Sequence, residues 1–417
     1  MNQLTELQST PSAVAQIPRD WQSGELLDFL ELQRGVDLPV QDRRRGNVPI
    51  FGSNGLLGYH DVSVSEGPGV ITGRSGTIGK VFYSEGQYWP LNTSLYVKDF
   101  KGNLPKFIYY KLDAIGLERF STGTGVPTLN RNVAHQEAVV FPPLAEQRKI
   151  TAILTAVDDK LDVIARQIEA TETLKRGLMQ TLFSRGVGTQ DADGRWVPHT
   201  QFKDSELGRI PAGWACLRLG DVLAKKPEYG ANASAVPFDA ENRIRYLRIT
   251  DIDEHGRLRG NSIKAIPSDE AKDYILADGD LLIARSGNTV GKSILYNRAM
   301  GLCAFAGYLL RFRFGHKVLV EFVAEYLTSD TYWAWVKASV KVGAQPNINA
   351  QQYQAMFIPV PPTEEQYHIA TALAGVDAKV ELLQSRELLY QTLKRGLMQK
   401  LLTGEWRVSV DANTSGT

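Results

Sequence analysis

The chain is poor in cysteine: only Cys216 and Cys303 occur in 417 residues, with no C-x-x-C pair and no Cys/His cluster. Two thiols cannot staple a chain of this length. A disulfide scaffold and a zinc ribbon are therefore excluded, and a reducing compartment is expected. No run of about 18 apolar residues is present, so no membrane span is expected. The first 25 residues lack a basic segment followed by an apolar one, so no signal peptide is expected and the expected location is cytoplasmic. Neither sign of charge is in excess, with 47 Lys+Arg against 46 Asp+Glu. A nonspecific nucleic-acid coat, which needs a large basic surplus, is excluded. The six histidines are scattered with none at metal-ligand spacing, so no metal is assigned. No Ser-His-Asp, Cys-His or NPPY-type constellation appears, and no catalytic residue is assigned.

The sequence instead contains itself twice. FPPLAEQRKITAILTAVDDK around Pro142 answers VPPTEEQYHIATALAGVDAK around Pro361, and TLKRGLMQ at 173–180 returns unchanged at 392–399. Matches from Pro127/Pro346 to Leu182/Leu401 keep one spacing of 219 residues. Upstream, IPRDW (17–21) answers IPAGW (210–214), GRSGTIGK (73–80) answers ARSGNTVGK (284–292), and FIYYKL (107–112) answers FVAEYL (322–327). The second copy is longer by about two dozen residues, and a repeat of about 200 residues is too long for a solenoid unit. The order is globular, helical, globular, helical. The helical segments agree at 18 of 41 positions from Pro142 to Leu182, whereas the globular ones diverge.

After each Pro-Pro, apolar residues recur at steps of three and four: Ile150, Leu154, Val157, Leu161, Ile164, Ile168, Leu174, Leu178 and Leu182, then Ile369, Leu373, Val376, Val380, Leu383, Leu393, Leu397 and Leu401. That is a heptad seam. Thr363 and Gln366 have capping-box spacing, and Gly186 and Gly404 stand where helices stop. Such a narrow stripe needs a partner helix, and the simplest is the other copy, paired antiparallel. The expected fold is α+β: two mixed α/β domains at opposite ends of a long antiparallel two-helix coiled coil, with internal pseudo-two-fold symmetry. This pairing sets Gly177 near Ala370–Ala372 and Gly396 near Thr151–Ile153. The two glycines mark either a close backbone approach or a tolerated position near a helix end. Asp158-Asp159-Lys160 lies mid-helix, where charges are expected on the solvated face.

Each globular segment reads as short strands with Gly/Pro turns: 69–74, 80–84, 94–100 and 138–143 in the first, 280–285, 292–296 and 308–314 in the second. One amphipathic helix follows in each, from about Lys106 and about Val318. The Gly-rich turns approach a P-loop without matching it, since strand-like residues follow where a P-loop opens a helix. They are either tight hairpins whose glycines permit positive φ, or hairpins offering Arg74, Ser75, Thr77 and Lys80, and Arg285, Ser286, Asn288, Thr289 and Lys292, to DNA phosphates. Further basic candidates are Arg43, Arg44 and Arg45, with Lys225, Lys226, Arg243 and Arg245 in the second copy.

Two divergent domains, each followed by a PP-x-x-EQ helix, resemble the specificity subunit of type I restriction–modification systems. The resemblance rests on Ile17-Pro18…Trp21 and Ile210-Pro211…Trp214, on Arg74-Ser75-Gly76 and Arg285-Ser286-Gly287, on Pro142-Pro143…Glu146-Gln147 and Pro361-Pro362…Glu365-Gln366, and on the connection FKDSELGRIPAGW at 202–214. It runs from about residue 15 to 405. It implies target-recognition domain 1 at 15–144, a central helical spacer at 145–186, a linker at 187–207, target-recognition domain 2 at 208–363 and a distal helical spacer at 364–405. It implies that each domain reads half of a bipartite double-stranded DNA site and that the helices set the spacing. The helices would also dock two modification (methyltransferase) subunits, which two restriction (translocase/nuclease) subunits can join. The chain itself would be non-catalytic and bind no cofactor; S-adenosylmethionine, ATP and Mg would sit on the partners. Lys175, Arg176, Met179, Lys394, Arg395 and Met398, in the repeated octapeptide, are the docking candidates. The alternatives are a P-loop-like nucleotide-dependent enzyme and a coiled-coil adaptor without DNA contact.

Overall fold

The computed structural model describes residues 17–122, 126–240, 243–253, 256–260, 263–340 and 346–409. Residues 15 and 16, assigned above to the first domain, lie outside the described residues. The chain divides into two units, Met1–Ala165 with Ser385–Thr417, and Arg166–Gln384.

In the first unit the globular segment enters on β1 (Gln22–Glu25) and leaves on β6 (Ala138–Phe141), which pair antiparallel from Gln22↔Phe141 to Glu25↔Ala138. Between them β2 (Glu31–Arg34), β3 (Gly69–Gly73), β4 (Val81–Ser84) and β5 (Ser94–Asp99) form a sheet in the order β2-β5-β3-β4. Its central strand β3 is buried on both faces. Val70 joins a core with Phe107, Ile108 and Leu112 of helix α1 (Pro105–Ile115), while Ile71 joins Phe51, Tyr88 and Tyr96 on the opposite side. Two-sided burial is why this strand reads as an apolar run without alternation. Pro105 starts α1 and Gly116, at φ +70°, ends it. Helix α2 (Leu144–Arg185) then begins directly after Pro142-Pro143.

The second unit repeats this plan. Strands β7 (Ala215–Arg218) and β12 (Phe357–Val360) pair at its base, from Ala215↔Val360 to Arg218↔Phe357. Strands β8 (Glu228–Tyr229), β9 (Leu281–Ala284), β10 (Ser293–Leu295) and β11 (Leu309–Phe312) form a sheet in the equivalent order β8-β11-β9-β10. Leu281 and Ile283 face one core, Leu282 and Ala284 the other. The single helix expected after Val318 is two: α3 (Val320–Tyr326), and α4 (Asp330–Ser339), which restarts where the Ser329 hydroxyl accepts the Tyr332 N–H. Helix α5 (Thr363–Leu402) follows the second Pro-Pro.

Within each unit the long helices run antiparallel. Ile150 and Leu154 share a core with Met398, Leu401 and Leu402 in the first unit; Met179, Leu182 and Phe183 share one with Ile369, Ala370 and Leu373 in the second. The pairing is reciprocal. Lys394 Nζ meets Asp158 Oδ1 at 2.7 Å, and Lys175 Nζ meets Asp377 Oδ2 at 2.6 Å, so the repeated lysine of each helix binds the repeated aspartate of the other. Asp158 is thus not on a solvated face; it also accepts from Tyr110 Oη at 2.8 Å. The heptad stripe fails near its ends. Leu174 and Leu393 are 56% and 46% exposed, whereas Met179, Met398, Phe183 and Leu402 are buried. There each long helix packs against a domain helix as well as its partner, so a wide face is buried rather than a two-position seam. Phe183, for instance, sits edge-on to Phe322 and Tyr326 of α3.

Of the two readings of these glycines, the tolerated position fits the packing inside each unit. A Cβ at Gly177 or Gly396 would meet nothing within 4 Å, so neither is a point of close approach inside its unit.

Beside Lys175, the Glu325 carboxylate (3.4 Å) is part-buried, and burial raises its pKa against the pull of the lysine. A carboxyl raised in the fold opposes folding when ionised, and that cost fades as pH falls through its folded pKa. Glu325→Gln is therefore expected to raise the melting temperature near neutral pH and to give no gain below the unfolded carboxyl range. Melts of both proteins across pH check this; a difference that does not vary with pH contradicts it.

Candidate nucleic-acid interface

The repeated motifs build a buried joint in each unit. Trp21 Nε1 donates to Glu146 Oε2 at 2.9 Å, and Trp214 Nε1 to Glu365 Oε2 at 2.7 Å. Both carboxylates are almost fully buried. Arg407 completes the first joint, its Nε on Glu146 Oε1 at 2.8 Å and its Nη2 on Oε2 at 2.9 Å, and its fork also grips Asp20. That hydrogen-bonded pairing lowers the Asp20 carboxyl pKa. In the second joint the other Glu365 oxygen accepts the Val187 and Gly188 N–H groups at 3.0 and 3.2 Å and lies 2.9 Å from His199 Nε2.

The adjacent glutamines anchor the domain helices. Gln147 Oε1 accepts Leu104 N–H, at the start of α1, while its amide donates to Asn103 Oδ1 and Pro142 O. Gln366 does the same with Leu319 N–H at the start of α3, Lys317 O and Pro361 O. The capping-box role expected of Gln366 is therefore corrected: its side chain is spent on the segment leading into α3. The helix-stop glycines belong to the same joints. A Cβ at Gly186 (φ +70°) would lie 2.1 Å from Glu365 Oε1, and one at Gly404 (φ +78°) 2.9 Å from Pro18. The linker assigned to 187–207 carries its own short ladders, Thr189–Gln190 with Trp196–Val197, and Phe202–Ser205 with Gly208–Pro211.

The Gly-rich turns connect β3 to β4 and β9 to β10, so each feeds a strand, as a hairpin does and a P-loop does not. Gly76, Gly79, Gly287 and Gly291 all have positive φ. Both turns sit in one backbone frame. Arg74 N donates to Thr93 O, Leu129 N to Arg74 O, and Gly76 N to Pro127 O; in the second unit Arg285 N donates to Tyr308 O, Ile348 N to Arg285 O, and Gly287 N to Pro346 O. Each arginine side chain then bonds the equivalent carbonyl, Arg74 Nη1 to Asn92 O at 3.2 Å and Arg285 Nε to Gly307 O at 3.2 Å. Burial and the nearby Arg34 lower the Arg74 pKa from its usual value; an arginine remains charged there.

The sequence candidates divide. Arg74, Ser75, Thr77 and Lys80 share the first turn, with Lys80 exposed; Arg285, Asn288, Thr289 and Lys292 share the second. Ser286 is buried in the second turn. Arg43 folds back on Leu38 O, Arg44 pairs with Asp61 at 3.1 Å, and Arg45 is exposed. Lys225 and Lys226 are exposed in the turn before β8, Arg243 donates to Ala240 O, and Arg245 to Arg259 O. Of the docking candidates, Lys175 and Lys394 are held in the reciprocal helix pairs, and Met179 and Met398 are core side chains. These four build the helix pair and are not free surface; Arg176 and Arg395 are exposed. Sequence reading missed Arg34, Tyr229 and Tyr308, which flank the two turn arginines. Aligning the strand ends of the two copies was the signal that reaches them. Among the described residues no three His, Cys, Asp or Glu side chains could hold a metal ion, and no helix is long and apolar enough to cross a membrane.

The fold and joints define a class: a protein with two copies of one mixed α/β domain, each locked by a Trp–Glu bond to the start of a long helix. A family model for the type I restriction modification DNA specificity domain matches residues 18–173 and 211–389, and the chain belongs to that family. It is 24% identical to the type I restriction enzyme MjaVIII specificity subunit of Methanocaldococcus jannaschii, over 94% of each chain. It is 21% identical to the EcoBI specificity subunit of Escherichia coli, over 72% of this chain and 66% of that one. Among solved structures, it superposes on the type I restriction–modification S subunit from M. genitalium with a TM-score of 0.62 at 15% identity, covering 94% of this chain and 98% of that one.

Proposed function

We propose that the chain is the sequence-specific DNA-binding specificity subunit of a type I restriction–modification complex in the cytoplasm. Each recognition domain reads one half of a bipartite double-stranded site, and the paired helices set the distance between halves. The observation that carries this is the pair of turns: one backbone frame holds Arg74 and Arg285 alike, while the side chains around them differ. Two different half-sites call for two readers on one scaffold. Two modification subunits bring S-adenosylmethionine and the adenine methyltransferase activity, and two restriction subunits bring ATP- and Mg-dependent translocation and cleavage. The chain supplies recognition and positioning, so by itself it neither methylates nor cuts DNA.

Exchanging residues 17–143 for another family member's first domain should change one half-site only. Mapping methylated adenines in the host tests this; a change in both halves, or in neither, rejects one domain per half-site.

The partner-facing surface is the exposed side of the repeated octapeptide: Leu174, Arg176 and Gly177 in one copy, Leu393, Arg395 and Gly396 in the other. Each glycine costs about 1 kcal/mol relative to alanine, with no crowding in the unit to require it. Gly177→Ala with Gly396→Ala should therefore stabilise the isolated chain by about 1–2 kcal/mol while weakening assembly with the modification subunits. Melting and co-purification check both halves of this; tighter assembly contradicts the assignment.

A further inference from the structure

The two domains can be compared position by position at the end of the sheet that carries the turn arginine. The frame is common to both. Gly35 N donates to Ser94 O and Val36 N to Pro90 O; Gly230 N donates to Leu309 O and Ala231 N to Phe305 O. The glycine is obligatory in each, since a Cβ would lie 2.1 Å from Leu91 O at Gly35 and 2.3 Å from Ala306 O at Gly230. This register makes Arg34 the counterpart of Tyr229, since they pair with Leu95 and Leu310 respectively. It makes Thr93 the counterpart of Tyr308, whose carbonyls take the arginine N–H in the two domains.

Chemistry at these flanking positions differs completely. In the first domain Arg74 stands beside Arg34, whose Nε also reaches Asn92 O at 3.4 Å, and beside the exposed Thr93. In the second, the Arg285 guanidinium lies 5.1 Å from the Tyr229 ring centre and 5.9 Å from that of Tyr308. These tyrosines are 47% and 58% exposed, so the core does not need them. With Arg285, Arg248 and Thr250 they line an open cleft of about 630 Å³. Arg285 is tied to the backbone through Nε, and its Nη groups take no part in that bond. A fork of this kind suits a guanine edge or a phosphate, and exposed aromatic rings beside it suit the thymine methyl at a base edge.

We propose that Tyr229 and Tyr308 are the specificity-determining side chains of the second domain, with Arg34 and Thr93 at the same places in the first. The shared arginines supply the DNA contact common to both. This rests on the reading that each domain recognises one half-site. The occupant is duplex DNA: the arginine holds a phosphate of the strand, and the flanking pair selects the neighbouring base.

The test uses the full chain assembled with its modification subunits, mapping methylated adenines in the host genome. Tyr229→Arg with Tyr308→Thr installs the first domain's residues at exposed positions. The half-site read by the second domain should change or relax at one or two base positions, by about tenfold or more in relative methylation, with the other half-site intact. Arg285→Ala should lower methylation at all sites by about tenfold or more without changing the motif. If the double variant destabilises the chain, Tyr308→Thr alone carries the test. An assembled double variant that methylates the original motif at the original rate overturns the proposal. A wild-type complex with no bipartite methylated motif fails the half-site reading itself, and the two failures are thereby distinct.

Discussion

Glu365→Ala is expected to destabilise the second unit by about 3–5 kcal/mol, because it leaves a set of buried donors without their acceptor. The carboxylate takes Trp214 Nε1, two backbone N–H groups of the linker and a contact from His199, at 2.7 to 3.2 Å. At roughly 2–4 °C per kcal/mol for a unit of this size, the melting temperature should fall by about 6–20 °C. Glu146→Ala should cost less, about 2–3 kcal/mol, since Arg407 keeps Asp20 as a partner and is itself part-exposed. Thermal melts of the two variants side by side check the order as well as the size. Equal losses, or a loss below about 1 kcal/mol for Glu365→Ala, would contradict the joint described here.

Much of this architecture was legible in the sequence because it is local. The Pro-Pro stops, the helices behind them and the strand-turn-strand character of both Gly-rich turns follow from propensity and period, and the structure has each of them. The joint was legible only as spelling. Trp21 and Glu146 both repeat, but nothing local says that an indole meets a carboxylate 125 positions away. The repeated octapeptide carries a structural role that its spelling does not show. Identity between copies suggests an outside partner, but Lys175 and Lys394 also reach the other copy's aspartate, and Met179 and Met398 each fill a core. Tyr229 and Tyr308 escaped notice from the opposite direction. A search for basic residues passes over tyrosines, and a search for repeats passes over the positions where copies differ.

The largest functional effect expected concerns spacing. The long helices have 42 and 40 residues, about 60 Å each at 1.5 Å per residue. If each domain reads a half-site as proposed, that length suits half-sites about one duplex turn apart, roughly 34–36 Å. The division between units falls inside both helices, at 165/166 and 384/385. Four residues inserted after Ala165 and four after Gln384 therefore leave the helix pairing inside each unit intact, including Lys394–Asp158 and Lys175–Asp377. Each insertion adds about 6 Å of helix. Mapping methylated adenines in one host for the wild-type and lengthened complexes tests the proposal that the helices space the readers. The lengthened complex should keep the same two half-sites, separated by one or two more base pairs at about 3.4 Å each; an unchanged spacer in a folded, active complex would show that the helices do not set the distance, and an altered half-site that they help to read bases.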